Sequence, residues 1–215
     1  MAESIAAMEQ AYTAALRAGD AGAARAVVAR ARAAGVALAE IYLRIFTPSM
    51  VTIGRLWERN ELTIAEEHLA TAITEGLIGE LSPSFAQAPA GGGTALIGCV
   101  EGERHVLGAR MLADLFRDQG WRVLYLGADV PTADWVKLAV RYQADLAAIS
   151  AGMRLHLPAA RALVAQLRAS LPGLAILVGG GAFDGSPGLW RDLGADLYHA
   201  DPGAAVALAG VHARR

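Results

Sequence analysis

Four short apolar runs, separated by three segments of helical period, constrain this chain more than any other feature. They stand at 95–100, 122–127, 145–150 and 174–178. Apolar runs of this length without strict alternation predict strands buried on both faces, as in a parallel sheet. Amphipathic segments at 105–119, 132–143 and 157–170 separate them and predict crossover helices. A weaker run at 195–199 adds a fifth strand, and 202–213 a last helix. The expected fold class is α/β, with a flavodoxin-like (Rossmann-like) five-stranded parallel sheet. Such sheets take ligands at the carboxyl ends of their strands, where the loop 101–108 after the first strand falls.

The first part of the chain has a different pattern. Residues 4–18 and 20–34 are rich in Ala and Arg, with apolar residues three and four apart, and Gly19 or Asp20 can separate them. Val36, Leu38, Ile41, Tyr42, Ile45 and Phe46 continue that period. Pro48 suits the first turn of a new helix over 48–59, where its missing N–H costs little. Thr63 with Glu66 reads as a capping box opening a helix over 64–81. Four or five helices packed as a bundle are expected. Residues 82–94, with Pro, Ser and a Gly triplet, read as a linker. The expected domains are a helical cap (1–81), the linker (82–94) and the α/β domain (95–215).

Composition removes several function classes. Hydrophobic residues make up 54% of the 215, which excludes a disordered chain. Nineteen basic residues against 21 acidic ones leave a net charge of −2, so direct DNA binding is not expected. Cys99 is the single cysteine, excluding an internal disulfide and a cysteine-built zinc site. The first residues carry acids and Gln in place of a signal peptide's basic start, and no run reaches membrane-spanning length. A cytoplasmic protein with no membrane partner is expected. There is no P-loop, no Gly-x-Gly-x-x-Gly after the first strand and no His-Glu-x-x-His. Gly91–Gly93 precedes its strand, so it is not a phosphate cradle.

The chemistry concentrates at one sheet edge. The first loop holds Glu103-x-His105-x-x-Gly108. After 41 intervening residues Ser150-x-Gly152 ends the third strand, and after 26 more Gly179-Gly180-Gly181 ends the fourth. This pattern resembles the cobalamin (vitamin B12)-binding fold of methionine synthase, corrinoid methyl carriers and B12-dependent mutases. That family carries Asp-x-His-x-x-Gly, Ser-x-Leu and Gly-Gly at similar spacings. Two positions depart from it: Glu103 stands for Asp, and Gly152 for Leu.

The resemblance implies that His105 is the lower axial cobalt ligand, displacing the dimethylbenzimidazole. Glu103 would hold the other ring nitrogen and tune its basicity. The displaced tail would run beside strands three and four, meeting Ser150, with room made by Gly179, Gly180 and Gly181. Arg104, Gly108, Gly152 and Met153 complete the expected cofactor-binding set. His156 reads as a loop or cap contact, His199 as an edge residue within reach of the tail, and Cys99 as a small core residue. Asp129-Val130-Pro131 is expected to shape the loop after strand two.

A second resemblance lies in the helical half. Trp57, nine residues, then Glu67-His68 is similar to the signature of light-sensing cobalamin photoreceptors of the CarH/LitR type, which also tend to carry Glu in the Glu-x-His-x-x-Gly motif. Without the downstream motif the same residues would be a core tryptophan and a solvated Glu-His pair. The photoreceptor resemblance implies a light-sensing regulatory module, not an enzyme, with no catalytic residues. It would bind 5′-deoxyadenosylcobalamin, with Trp57 shielding the adenosyl group and Glu67 bonding it. Photolysis of the cobalt–carbon bond would let His68 ligate cobalt and shift the helical cap. Self-association as a dimer or tetramer in the dark and a regulatory protein partner would follow. The DNA-binding domain of those photoreceptors is not expected within these residues, whether the chain is complete or a fragment lacking it. The alternative is a corrinoid methyl carrier serving a methyltransferase system, for which methylcobalamin would be the bound form. A plain cobalamin store is the third reading.

Overall fold

A computed structural model describes residues 3–85, 92–186 and 188–212. The chain divides into two compact units, Met1–Phe85 and Ala86–Arg215.

In the first unit, Ser4 caps α1 (Ile5–Arg17) by accepting from the Ala7 N–H. Gly19, at φ +65°, turns the chain out of α1, and Asp20 caps α2 (Ala21–Ala33), so both residues make the break. The segment around Pro48 differs from expectation. The helix α3 (Leu38–Ile41) runs through a π turn (Tyr42–Phe46) directly into α4 (Thr47–Glu58), so Pro48 does not open a separate helix. Proline lacks the N–H that would bond the carbonyl four residues back, and its ring crowds that carbonyl. The wide turn relieves both effects: the Thr47 N–H donates to the Tyr42 carbonyl, and the Thr47 hydroxyl donates to the same oxygen at 2.8 Å.

The helix α5 (Ile64–Leu81) opens with the expected capping box. The Glu66 N–H donates to Thr63 Oγ1, and the Thr63 N–H donates to Glu66 Oε2 at 2.7 Å. This cap fixes the turn that carries Glu67 and His68. Thr63→Ala is therefore expected to cost about 1 kcal/mol, read as a lowered urea midpoint; an unchanged midpoint would refute the cap's contribution. Tyr12 and Tyr42 each stack on Phe46, at 4.9 and 5.6 Å between ring centroids, and form the unit's core with Ile53 and Ile78. The expected linker does not begin at residue 82. Ser82–Ser84 form a 3₁₀ turn, and Phe85 is buried against Tyr42, because an aromatic ring at this point gains more from burial than from exposure. Linker residues 86–91 lie outside the described residues.

The second unit is a five-stranded parallel sheet in the order β2-β1-β3-β4-β5, the flavodoxin-like order. Its strands are β1 (Thr94–Cys99), β2 (Arg122–Gly127), β3 (Leu146–Ser150), β4 (Ala175–Gly179) and β5 (Leu197–Tyr198). The helices are α6 (Leu107–Asp118), α7 (Thr132–Arg141), α8 (Leu157–Ser170), the short α9 (Leu189–Asp192) and α10 (Pro202–His212). Trp135 of α7 and Leu163 and Leu167 of α8 share a core with Leu96, Ala147, Ile149 and Ile176. Alternate strand residues Ile97, Ala148 and Leu177 face α6 and α10, as a period of two requires. The edge strand β5 is shorter than the expected 195–199. Gly93, whose added Cβ would lie 2.2 Å from Asp145, sits at the opposite end of β1 from the loop 101–108. Among the described residues no helix is long and apolar enough to cross a membrane.

Candidate functional site

The sheet order makes β1 and β3 neighbours whose following helices leave in opposite directions. The loops after these two strands meet at that switch point. β3 ends at Ser150 and β4 at Gly179, so the three sequence motifs share one sheet edge, as the spacing predicts.

Glu103 is the centre of the arrangement. Its side chain is fully buried, and both carboxylate oxygens are engaged. Oε1 meets His105 Nδ1 at 2.5 Å and accepts from the His105 N–H at 2.9 Å. Oε2 accepts from the Gly152 N–H at 2.5 Å and the Met153 N–H at 3.3 Å, and meets His156 Nδ1 at 2.7 Å. Burial alone would push this carboxyl up. The bonds from His105, Gly152 and His156 together outweigh it and hold the group well below the usual carboxylate range. An ionised carboxylate only accepts, so both histidines carry their proton on Nδ1. Nε2 is then the ring nitrogen with a lone pair suited to a metal.

The loop is braced from β2 as well. Gly102, at φ +82°, donates its N–H to Asp129 Oδ1 at 2.7 Å, and the Asp129 N–H returns a bond to the Glu103 carbonyl at 2.9 Å. Asp129, expected to shape its own loop after the second strand, thus braces the loop after β1. α6 begins only at Leu107, later than the expected 105, because residues 101–105 are spent on these bonds. His105 therefore stands on a fixed loop with its side chain 58% exposed.

A groove open to solvent lies where α6 begins, just after this loop. Gly108, Ser150, Gly179, Gly180 and His199 contribute to its walls. A Cβ added at Gly108 or Gly179 would meet nothing within 4 Å, so these glycines leave space at the wall. Gly181 stands one residue beyond, opening a 3₁₀ turn. The donor set suits a corrin-held cobalt: among the described residues no cluster of three or more metal-ligating side chains forms. One exposed imidazole on a braced loop fits a metal that brings its other ligands with it.

Other expected residues stand differently. Arg104 is exposed. Met153 contributes its backbone N–H, and Arg154 turns to the Asp184 carbonyl and Ser186 Oγ. Cys99 is a buried core residue paired in register with Ser150. Burial first, then the Glu103 charge, push its thiol up to about 12. In the helical unit, Trp57 at the end of α4 is 40% exposed and so is no core residue. The His68 side chain is 73% exposed, with Nε2 3.7 Å from Glu67 Oε2.

A family model described as "B12 binding domain" matches residues 93–209, and a second with the same description matches 8–82. This chain belongs to the B12-binding domain family. Its cofactor is cobalamin. It is 36% identical over 121 residues to the HTH-type transcriptional repressor CarA of Myxococcus xanthus, covering 55% of this chain and 41% of that one. It is 29% identical over 176 residues to dimethylamine corrinoid protein 1 of Methanosarcina acetivorans, covering 79% and 81%. Its fold matches the monomethylamine corrinoid protein of Methanosarcina barkeri at a TM-score of 0.86, with 20% identity over 95% and 98% of the two chains.

One member of this candidate site escaped the sequence reading. His156 is not merely a loop or cap contact; it shares the Glu103 carboxylate. No fixed spacing to His105 marks it. The available signal was a histidine just after β3, at the same edge as the Glu-x-His loop.

Proposed function

We propose that this B12-binding chain is a corrinoid methyl carrier that works with methyltransferase partners and catalyses no step by itself. The observation that carries this reading is coverage. The dimethylamine corrinoid protein matches about four-fifths of both chains, helical and α/β parts included, whereas the CarA match stops at 121 residues. This ordering favours the methyl carrier over the light sensor that the Trp57 and Glu67-His68 signature put first.

Bound cobalamin supplies a cobalt centre that accepts and gives up a methyl group. His105 would hold the cobalt through Nε2. Glu103 keeps the His105 proton on Nδ1 and orients the ring. Gly108, Ser150 and the Gly179–Gly181 run leave the groove for the displaced tail. Methylcobalamin is the expected resting form.

The light-sensing reading is the alternative raised by the Trp57 and Glu67-His68 resemblance, and the comparisons favour the carrier over it. One experiment separates the readings. The full chain is loaded in the dark with methylcobalamin or adenosylcobalamin, and absorption and elution volume are recorded before and after green light. Preference for methylcobalamin and an unchanged elution volume support the carrier. A stable His68-dependent spectrum with a changed elution volume after light would replace it with the sensor. Binding with no methyl exchange to a methyltransferase and no light response would leave only a cobalamin store. In the same assay, His105→Ala is expected to shift the bound spectrum to the form lacking a protein axial ligand and to weaken binding about 10- to 100-fold. An unchanged spectrum and affinity would refute the axial role of His105.

A further inference from the structure

We infer that the groove between the sheet and α6 selects the base carried by the corrinoid's tail, accepting a benzimidazole and rejecting an amine-bearing purine, and that His199 sets this choice. This rests on the reading of His105 as the lower axial ligand, which sends the displaced base into the groove.

The groove is apolar along most of its lining. Ile97, Ala148 and Leu177, from three adjacent strands, form its floor, with Leu112 of α6 and Ala205 of α10 beside them. Among the described residues that line it, Ser150 and His199 alone carry polar side chains. The strand-end carbonyls are already engaged. That of Ser150 accepts from the Val100 N–H, that of Gly179 from Ala151 and that of Gly180 from Phe183. The N–H groups of an occupant therefore find few acceptors there. Each polar group buried without a partner lowers affinity by about 5- to 100-fold. A dimethylbenzimidazole joined to its sugar keeps one free ring nitrogen, an acceptor, and has no N–H. Adenine in the same place adds an exocyclic amine that must donate.

His199 gives this apolar preference a direction. It follows β5 and lines the groove from an exposed position. Its Nδ1 accepts from the Asp201 N–H at 2.9 Å. A ring nitrogen that accepts carries no proton, so the neutral ring holds its proton on Nε2. A charged ring would donate from Nδ1 to the Asp201 carbonyl, 3.2 Å away, and would still carry the Nε2 proton. In both forms Nε2 donates and does not accept. Asp201 is itself fixed by the start of α10. Its Oδ1 accepts from the Ala204 N–H at 2.7 Å, and its carbonyl from the Ala205 N–H at 3.0 Å. The side chain that could best have met an amine is thereby held as a donor. It suits an acceptor on the tail and opposes a second donor.

The test compares two corrinoids that differ only in the base. The full chain, made with histidine carrying the heavy nitrogen isotope, is titrated with cobalamin and with the same corrinoid bearing adenine in place of dimethylbenzimidazole. Dissociation constants are measured, and the bound corrinoids are reduced to the cobalt(II) state. In the electron paramagnetic resonance spectrum a labelled protein histidine splits each cobalt line into two, and the cofactor's own base splits it into three. Wild type is expected to bind the dimethylbenzimidazole form about tenfold or more tightly than the adenine form, with the histidine splitting in both. His199→Gln, whose side-chain carbonyl can accept from an amine, should narrow that ratio to about threefold or less. His199→Phe keeps an aromatic ring and offers no acceptor, so its ratio should stay near that of wild type. His199 is exposed, so both variants are expected to keep the fold, which circular dichroism checks. A wild-type ratio under about threefold, or equal ratios in the Gln and Phe variants, would overturn the inference while the histidine splitting leaves the axial reading intact. Splitting by the cofactor's own base would overturn both, because the base then never leaves the cobalt.

Discussion

Glu103→Ala is expected to lower the unfolding free energy by about 3–5 kcal/mol, the range for breaking a buried ionic arrangement by removing one partner. The loss has two parts. A fully buried side chain disappears and leaves a cavity. More importantly, the Gly152 N–H, the His156 Nδ1–H and the His105 N–H lose their acceptor together. Each buried donor left unpaired costs about 1–3 kcal/mol. Glu103→Gln separates the two parts: it keeps the volume, but one of its two terminal atoms is itself a donor and cannot accept. The effect depends on pH with a definite sign. The folded protein holds this carboxyl below its ordinary 4.5, so its contribution is complete above that value and is lost as pH falls below it. Urea unfolding of wild type and variant at pH 7 should therefore differ widely, and the difference should shrink in acid. A difference under about 1 kcal/mol at pH 7 would mean the carboxylate is not structural.

Gly180→Ala is expected to cost about 3 kcal/mol or more for a different reason. Gly180 stands at φ +100° and ψ 163°, a conformation open essentially to glycine alone. An added Cβ would also fall 2.3 Å from the Ala151 carbonyl oxygen and 2.8 Å from its carbon. Both are backbone atoms, so no side-chain rotation relieves the clash. The β4 end would have to move away from the β3 end. That movement pulls on Ala151, whose carbonyl accepts from Ala182, and through the next residue on the Gly152 N–H that holds Glu103. The variant should lose both thermal stability and cobalamin affinity. Gly173→Ala is the matched control, with a negative φ and nothing within 4 Å of the added Cβ, and should stay within about 0.5 kcal/mol of wild type. Equal melting temperatures for the two variants would sink the argument.

The sequence shows strands and edges well because burial and period are local signals. Ser150 and Gly179 end their strands where spacing places them, and His105 stands at the predicted edge. The Glu103 cluster itself is not local. Glu103 reaches Gly152 and His156 only because β1 and β3 are adjacent, a fact carried by the sheet order and not by any spacing. In the sequence, Glu for Asp at 103 and Gly for Leu at 152 read as two separate departures from the family pattern. The structure makes them one arrangement. The longer side chain reaches across to the Gly152 N–H, and a Cβ at 152 would lie 3.0 Å from Glu103 Oε2. The π turn was hidden for another reason: a proline can open a helix or sit after a widened turn, and only the Tyr42 carbonyl bonds distinguish the two.

That widened turn also sets a phase. An α-helix advances about 100° per residue. A π turn absorbs one extra residue without adding the matching rotation, so every side chain of α4 stands about one residue's rotation away from the direction an uninterrupted helix would give it. Ile53 and Leu56 face the core, and Trp57 faces outward, because of that offset. The bearing of the tryptophan is therefore encoded upstream, in the residues that let Pro48 be accommodated. Deleting one of them would straighten the helix and turn Trp57 to a new compass point while leaving its own sequence neighbourhood untouched.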